Sequence, residues 1–490
     1  PGEAGGALRP PRGAGGPLTP KEAALQVVRR LREAGFEAYW AGGCVRDLLL
    51  GREPKDYDVA TSARVEEVLD LFPDAVPVGA AFGVVRVRCG GQEVEVAQFR
   101  TEGPYLDGRH PSEVRPATAR LDAARRDFTI NGLFYDPVEG TVYDWVGGVA
   151  DLEARLIRTI GDPQARFRED YLRMLRAVRL AVELNFRIEP ETARAIQELA
   201  PRIVKVSPER IREELVRILT SPSRGEGLKL LDELELLRPI LPEVAAMKGV
   251  PQPRGHHPEG DVFTHTVLVL EALRDPSPVL SFGALLHDVG KTSTFTVEEG
   301  RIRFPKHDVV GARIAEEVTR RLRFSAKEIE RIVALVRDHM RMSDLPRMRE
   351  SKRKRFFARE DFAELLELYR ADCIASSGDL AMYEWITQEV ARLSKEEINP
   401  PRLVSGHDLI AMGYKPGPAF REILERVRAA QLSGEVRTRE EARELARRIA
   451  QGLLGPPDPR AGVQCVRVES ATGCRMNRTS TARGVLSSPS

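Results

Sequence analysis

Apolar side chains recur at helical spacing from Lys21 to Ala34, with Leu25, Val28 and Leu31 marking one face. Ala38 to Ala41 follows as a short apolar strand. It meets Gly42-Gly43 and turns into a second helix from Val45 to Leu50. Residues 55–60 and 84–99 read as strands. Val84, Val85 and Val87 lead into the turn Cys89-Gly90-Gly91, after which Glu93 to Phe99 alternates, the pattern of a β-hairpin. This order fits an α/β head over 21–150, an antiparallel or mixed sheet with helices. Residues 1–20 are rich in Gly and Pro, lack periodicity and are expected to form a disordered arm.

From Asp151 the pattern is helical, punctuated by Pro163, Pro190, Pro201, Pro208 and Pro222. An all-α neck over 151–248 is expected, then a Pro/Gly/His-rich linker at 249–261. A second helical block covers 262–395, and a shorter C-terminal helical region covers 396–452. The remainder, 453–490, is Ser/Thr/Arg-rich and aperiodic and is expected to be disordered. No internal repeat is visible.

The 490 residues are too many for one ordinary core, and the mix of 42% hydrophobic and 30% charged residues suits a water-soluble, multidomain protein. No apolar run approaches the roughly 18 residues of a spanning helix. The first residues, beginning at Pro1, lack the charged-then-apolar order of a secretory signal. No membrane partner is therefore expected. Cys44, Cys89, Cys373, Cys465 and Cys474 are spaced for neither a disulfide framework nor a zinc ribbon, which points to a reducing, cytoplasmic compartment. The net charge of +2, from 75 basic and 73 acidic residues, creates no global field for a polyanion, so such a partner would be held by local patches.

Three places in the head can carry chemistry. Gly42-Gly43-Cys44-Val45-Arg46-Asp47 lies between a strand and a helix, where glycine backbone and a helix N-terminus can meet a phosphate and Arg46 can clamp it. A plain turn is the alternative. Asp56-Tyr57-Asp58 puts two carboxylates on one side of a strand, an arrangement that a divalent ion relieves. Such oxygens serve two-metal phosphoryl transfer, although a polar turn after Lys55 has the same composition. Glu95 offers a third carboxylate and shares its face with Glu93, which an exposed hairpin would also show. In Arg125-Arg126-Asp127-Phe128-Thr129-Ile130-Asn131, Arg126 and Asp127 can reach substrate phosphate and sugar, or form a solvated basic turn.

Beyond the head, one helix is expected from Gln164 to Val182, with Leu172, Leu175, Val178 and Val182 as its buried stripe. Asp170 and Arg173 are neighbours at i, i+3, and Arg176 and Arg179 continue the row. An Asp beside an Arg sets acceptors next to planar donors, an edge able to pair with a nucleobase. A surface salt bridge is the alternative. Three arginines with too few acidic partners favour an anion.

Taken in order, Gly42-Gly43-x-Val45-Arg46-Asp47, Asp56-x-Asp58, Arg126 to Asn131 and Glu169-Asp170-x-x-Arg173-x-x-Arg176-x-x-Arg179 resemble the superfamily of class II tRNA nucleotidyltransferases and bacterial poly(A) polymerases. The resemblance runs over roughly residues 22–450. It implies that Asp56 and Asp58 bind catalytic Mg²⁺, with Glu95 as third carboxylate. Gly43 and Arg46 would contact the nucleotide phosphates, and Arg126 the bound nucleotide. Asp170 and Arg173 would form a protein template selecting CTP and then ATP, assisted by Arg176 and Arg179. Val78 to Val85 looks like the flexible segment of the tRNA enzymes, with Ala80-Ala81 where the family often carries basic residues. An Arg-rich segment of the poly(A) polymerases is not seen there.

Of eight histidines, His265, His287, His307 and His339 fall within the second helical block. His287-Asp288 closes the apolar run Leu280 to Leu286, and Asp372 is a candidate closing ligand. Imidazole nitrogens with carboxylate oxygens suit a first-row divalent ion. Through His265, His287-Asp288 and Asp372 the block resembles the HD phosphohydrolase superfamily, with His307 and His339 at positions found in some members. The resemblance implies a second divalent transition metal and activity on 2′,3′-cyclic or terminal phosphates.

The basic run Lys352-Arg353-Lys354-Arg355 and the arginines between Leu403 and Ala450 complete the picture. By resemblance, the parts behind the head grip a tRNA acceptor arm by shape and backbone. The expected fold is thus a nucleotidyltransferase head followed by all-α neck, HD and tail domains. The expected function is template-independent addition of CMP and AMP, from CTP and ATP, to the tRNA 3′ end, whole CCA or part of it. The alternatives are a poly(A) polymerase and an HD hydrolase whose head only binds RNA.

Overall fold

The chain enters its first helix, Pro20–Glu33, through a capping box in which Thr19 and Glu22 satisfy each other's backbone amides. The buried face is Ala23, Ala24, Val27, Val28 and Leu31, so Leu25 sits at its margin, one step off the expected stripe. The computed structural model describes residues 18–79, 83–103, 114–253, 260–393 and 401–456. The segments expected to be disordered lie mostly outside these residues, as do positions 80–82 of the expected flexible segment. The final helix, Arg439–Leu454, runs slightly past the expected boundary at 452.

The head holds a seven-stranded mixed sheet. Its strands are β1 (Ala38–Ala41), β2 (Val59–Thr61), β3 (Val76–Gly79), β4 (Val84–Cys89) and β5 (Gln92–Gln98). A separate ribbon pairs β6 (Arg100–Glu102) with β7 (Val114–Pro116), and β8 (Phe134–Asp136) and β9 (Thr141–Tyr143) return to the main sheet. The order is β3-β4-β5-β2-β1-β8-β9, and β2 with β5 is its one parallel pair. The expected hairpin is β4–β5. Its two-residue turn, Gly90-Gly91, takes φ of +57° and +85°, which glycine adopts without strain and which matches the strand twist.

Behind the head, helices Leu172–Leu184, Pro208–Thr220 and Arg224–Glu233 pack on one another and pass into the helical block. The expected linker is pinned at both ends. The Gly249 amide donates to Asp261, Val262 donates to Val250, and Gln252 is buried. Helix Pro278–Leu286 is buried on all sides, which its unbroken apolar sequence requires.

The chain divides into two compact units. Among the described residues, one comprises those up to 346 together with 360–388. The other comprises 347–359 and those from 389 onward, with a small core of Leu409, Ile423, Val427, Ala442 and Ala446. The basic run Lys352–Arg355 lies in helix Glu350–Phe357 and so belongs to this second unit. Among the described residues, no helix is long and apolar enough to cross a membrane.

Candidate functional site

The glycine turn is shaped by its neighbours. Gly42 has φ of +81°, which strains any side chain, and a Cβ there would come within 2.8 Å of Arg126 Nη1 and make that arginine shift. Gly43 opens helix Gly43–Leu49. Arg46 lies along that helix, donating to Asn131 Oδ1 at 2.8 Å and pairing with Asp47 at 2.8 Å.

Asp56 and Asp58 stand just before β2, not within the strand expected at 55–60. The reason is the partner strand. Ala41 still donates to the Asp58 carbonyl, but β1 then turns at Gly42 and offers no further ladder. The alternation nevertheless persists. Tyr57 is 4% exposed and packs its ring 4.7 Å from Trp40, while both aspartates face solvent. The parallel register Val59↔Val96 sets Glu95 beside Asp58 on the same face. Partial desolvation, followed by the charge of Glu95, pushes the Asp58 carboxyl up to about 6; Arg126 opposes this and Asp56 adds to it. A group of carboxylates that resist joint ionisation suits a divalent cation. Glu95 and Glu93 both lie against Arg86, at 3.3 and 3.6 Å. Among the described residues, the sets of ligand atoms gathered within 4.8 Å do not include this trio.

The turn at Arg125–Asn131 is organised from within. Asp122, 1% exposed, binds Arg125 at 2.8 Å and Arg126 at 3.0 Å, and the Arg126 guanidinium lies over the Phe134 ring. Asp127 does not reach outward as expected. It is 7% exposed, accepts from the Phe128 amide and Asn131, and pairs with Arg176 at 2.7 Å. Burial alone would raise its carboxyl, but Arg176 and Arg173 hold it at about 2. The ion pair with Arg176 links this turn to helix Leu172–Leu184.

The helix expected from Gln164 to Val182 is two helices, Pro163–Glu169 and Leu172–Leu184. Asp170 lies in the break with extended backbone, and its Oδ1 caps the second helix through the Leu172 amide. Asp170 and Arg173 therefore do not pair with each other. Asp170 takes the fork of Arg210, at 3.2 and 2.7 Å, and Arg173 is held by Glu169 and the Arg166 carbonyl. The arginine row is also not short of acids. Arg176 has Asp127, and Arg179 has Glu214 at 2.6 Å and Glu183 at 3.3 Å. Arg179 is 6% exposed, so it braces helices from inside.

The six groups expected in the second block do converge. His265 lies in helix Val262–Ala272, His287-Asp288 at the end of Pro278–Leu286, and His307 at the start of His307–Arg321. His339 caps Ala326–Asp338, and Asp372 lies in Phe362–Ala375. Asp288 is central, with the Nε2 atoms of His265, His287, His307 and His339 at 3.7, 3.2, 3.5 and 3.7 Å. Asp372 contacts His265 at 3.0 Å. The donors form two sets, His265/His287/Asp372 and Asp288/His307/His339, each within 4.8 Å. The backbone aims the rings. Nδ1 of His287, His307 and His339 faces the carbonyls of Ala284, Phe304 and Val336, which leaves Nε2 directed inward. Burial, then the charge of His287, pushes His339 down to about 4, so it is neutral near pH 7 as a ligand must be. These residues fit a divalent metal. Gly290 allows the close helix contact, because a Cβ there would lie 2.1 Å from the His307 carbonyl oxygen. A cavity of about 820 Å³ opens onto Asp288, His307, His339 and Asp372.

Several of these partners were invisible beforehand. Lys291 binds Asp288 at 2.6 Å and Gln252 at 2.8 Å inside the cluster, and Asp122 and Arg210 brace the head and neck. Asp122 had a signal in its i, i+3 and i, i+4 spacing to Arg125 and Arg126. Arg210 had a subtler one, a cation in the first turn of a helix opened by Pro208, where the helix dipole disfavours it.

Comparison with known proteins agrees with this layout. Residues 38–158 match the poly A polymerase head domain, residues 185–248 the probable RNA- and SrmB-binding site of polymerase A, and residues 262–376 the HD domain. The chain is 43% identical over 234 residues to poly(A) polymerase I of Salmonella typhi, which is 46% of this chain and 50% of that protein. It is 45% identical over 218 residues to the CCA-adding enzyme of Geobacillus thermodenitrificans, 44% of this chain and 54% of that one. The chain thus spans about half the length of the curated relatives it matches. The crystal structure of the Bacillus stearothermophilus CCA-adding enzyme in complex with CTP aligns over 89% of this chain and 98% of its own, with a TM-score of 0.63 and 29% identity. Domain content, sequence and fold agree, and the chain belongs to the superfamily of class II tRNA nucleotidyltransferases and bacterial poly(A) polymerases, with an HD domain behind the head.

Proposed function

We propose that this protein adds CMP and AMP, from CTP and ATP, to the 3′ end of tRNA in the cytoplasm, completing all or part of the CCA sequence without a nucleic-acid template. The observation that carries the reading is a run of hydrogen bonds and ion pairs from Arg126 to Arg176, flanked by charge influence on Asp58 at one end and from Asp170 at the other. Asp58 feels Arg126; Arg126 and Arg46 meet at Asn131; Asn131 binds Asp127; Asp127 holds Arg176, which feels Asp170. One nucleotide lying along that run would have phosphates at one end and its base at the other.

Asp56, Asp58 and Glu95 would hold Mg²⁺, which when bound supplies charge neutralisation for the phosphates and the attacking 3′-hydroxyl. Arg126, kept extended by Asp122, and Arg46, kept by Asn131, would clamp phosphate oxygens beside Gly42 and Gly43. Asp170 and Arg173 would read the base. In the second site, the four histidines, Asp288 and Asp372 would hold a divalent transition metal, whose contribution is Lewis-acid chemistry on a phosphoester. Arginines of the second unit would meet RNA phosphates, making binding weaken with salt.

Incubation with Mg²⁺, CTP, ATP and tRNAs lacking one, two or three terminal residues tests this reading. Defined addition of the missing residues is expected. Long ATP-only tails on unrelated RNA would replace it with the poly(A) reading, which the Salmonella relative keeps in view. Phosphoesterase activity without any incorporation would leave only the HD hydrolase.

A further inference from the structure

Asp170 is held more completely than a surface aspartate needs to be. An ionised carboxylate offers about four lone-pair sites. Here Oδ1 takes the Leu172 amide at 3.0 Å and Arg210 Nη1 at 3.2 Å, while Oδ2 takes Arg210 Nη2 at 2.7 Å. Three sites are filled, and one remains, on Oδ2. The side chains of Asp170 and Arg210 are 16% and 25% exposed, so the pair is shielded but not sealed. Arg210 sits in the first turn of helix Pro208–Thr220, where a cation opposes the helix dipole. The fork with Asp170 offsets that local cost. Beside this edge, Arg173 is braced by Glu169 and the Arg166 carbonyl.

The terminal torsion of an aspartate is broad, so an unheld carboxylate would turn and offer acceptors in several directions. A planar guanidinium fork fixes its plane, which a lysine cannot do. Cytosine and adenine carry an exocyclic amine donor where uracil and guanine carry a carbonyl oxygen. One fixed acceptor beside fixed arginine donors accepts the first two bases and sets a carboxylate against the oxygen of the others. We infer that Arg210 is a positioning residue for nucleotide selection, holding the Asp170 carboxylate in the single orientation that separates C and A from U and G. The inference rests on the transfer activity proposed above.

Steady-state incorporation of each of the four nucleoside triphosphates onto truncated tRNA tests it, with wild type, Arg210→Lys and Arg210→Ala. Arg210→Lys keeps the charge and loses the fork. Its kcat/KM ratio of CTP over UTP is expected to fall about tenfold while Tm stays at the wild-type value. Added guanidinium ion should restore the ratio in Arg210→Ala. A loss of rate shared equally by all four nucleotides, with the ratio unchanged, would show that Arg210 only supports the helices and would overturn the inference. Wild-type protein that incorporates nothing would remove the transfer reading and this inference with it. Wild-type selectivity that survives in both variants removes the inference alone.

Discussion

The two clusters of acidic and basic ligands in this chain differ in how far the fold has built them. Around Asp288 the four histidines are buried and Asp372 is partly so, three of the imidazoles are aimed by backbone carbonyls, and the ligand atoms fall into two tight sets. Around Asp58 the carboxylates face solvent, and Glu95 is drawn aside by Arg86. The charges are balanced differently too. Although burial opposes it, the charges of His287 and Lys291 hold Asp288 well below the usual carboxylate range, whereas Asp58 is pushed up. A site assembled in advance can keep a metal between turnovers. A site of mutually repelling, exposed acids gains its cation most favourably together with the phosphates that share it.

Crossing the two sites should give the largest effects. Asp58→Ala should lower nucleotide incorporation on the order of a thousandfold, while metal content of the HD site, read by elemental analysis, stays unchanged. Asp288→Asn should do the reverse, weakening metal retention on dialysis by about 10- to 100-fold and sparing incorporation. If Asp58→Ala also emptied the HD site, the two clusters would not be independent and the comparison would fail.

The same contrast governs what could be read from the chain. The HD donors were legible because histidine is scarce, and four of eight converge on one block. The glycine turn and the hairpin were legible because φ and alternation leave marks in composition. The break at Asp170 was not. Glu169-Asp170-Tyr171 contains neither Gly nor Pro, and the apolar stripe runs on from Leu172. What ends the first helix is a side-chain cap on the second, and a cap competes weakly with a strong helical period. The partners of the arginine row were hidden for another reason. Glu214 and Arg210 come from a helix far along the chain, and only tertiary packing brings them to Arg179 and Asp170.

Within the head, the hairpin offers a finer cut. Glu93 and Glu95 share a face and a partner, Arg86, but the register places only Glu95 beside Asp58. Glu95→Gln should lower incorporation about tenfold and raise the Mg²⁺ needed for half-maximal rate. Glu93→Gln should leave both within twofold, because an exposed pair contributes little. Equal effects from the two variants would detach Glu95 from the cation site.

The smallest effect is expected where head and neck are joined, and it is one of stability. Asp127 sits at about 2 in the folded protein, below its ordinary value of 3.8, because Arg176 and Arg173 outweigh burial. A depressed carboxylate contributes stability that is fully present above its unfolded value and is lost as pH falls through the folded one. The window therefore runs from about pH 4 down to about pH 2. Arg176 is 38% exposed, so solvent screens the pair, and the contribution is about 1 kcal/mol. In urea unfolding, Asp127→Asn should be less stable than wild type by that amount at pH 7 and should converge on it towards pH 2. A constant difference across that range would mean that the loss comes from the Asp127 carboxylate's hydrogen bonds with Phe128 and Asn131, inside the head, and not from its ion pair with Arg176 of the neck.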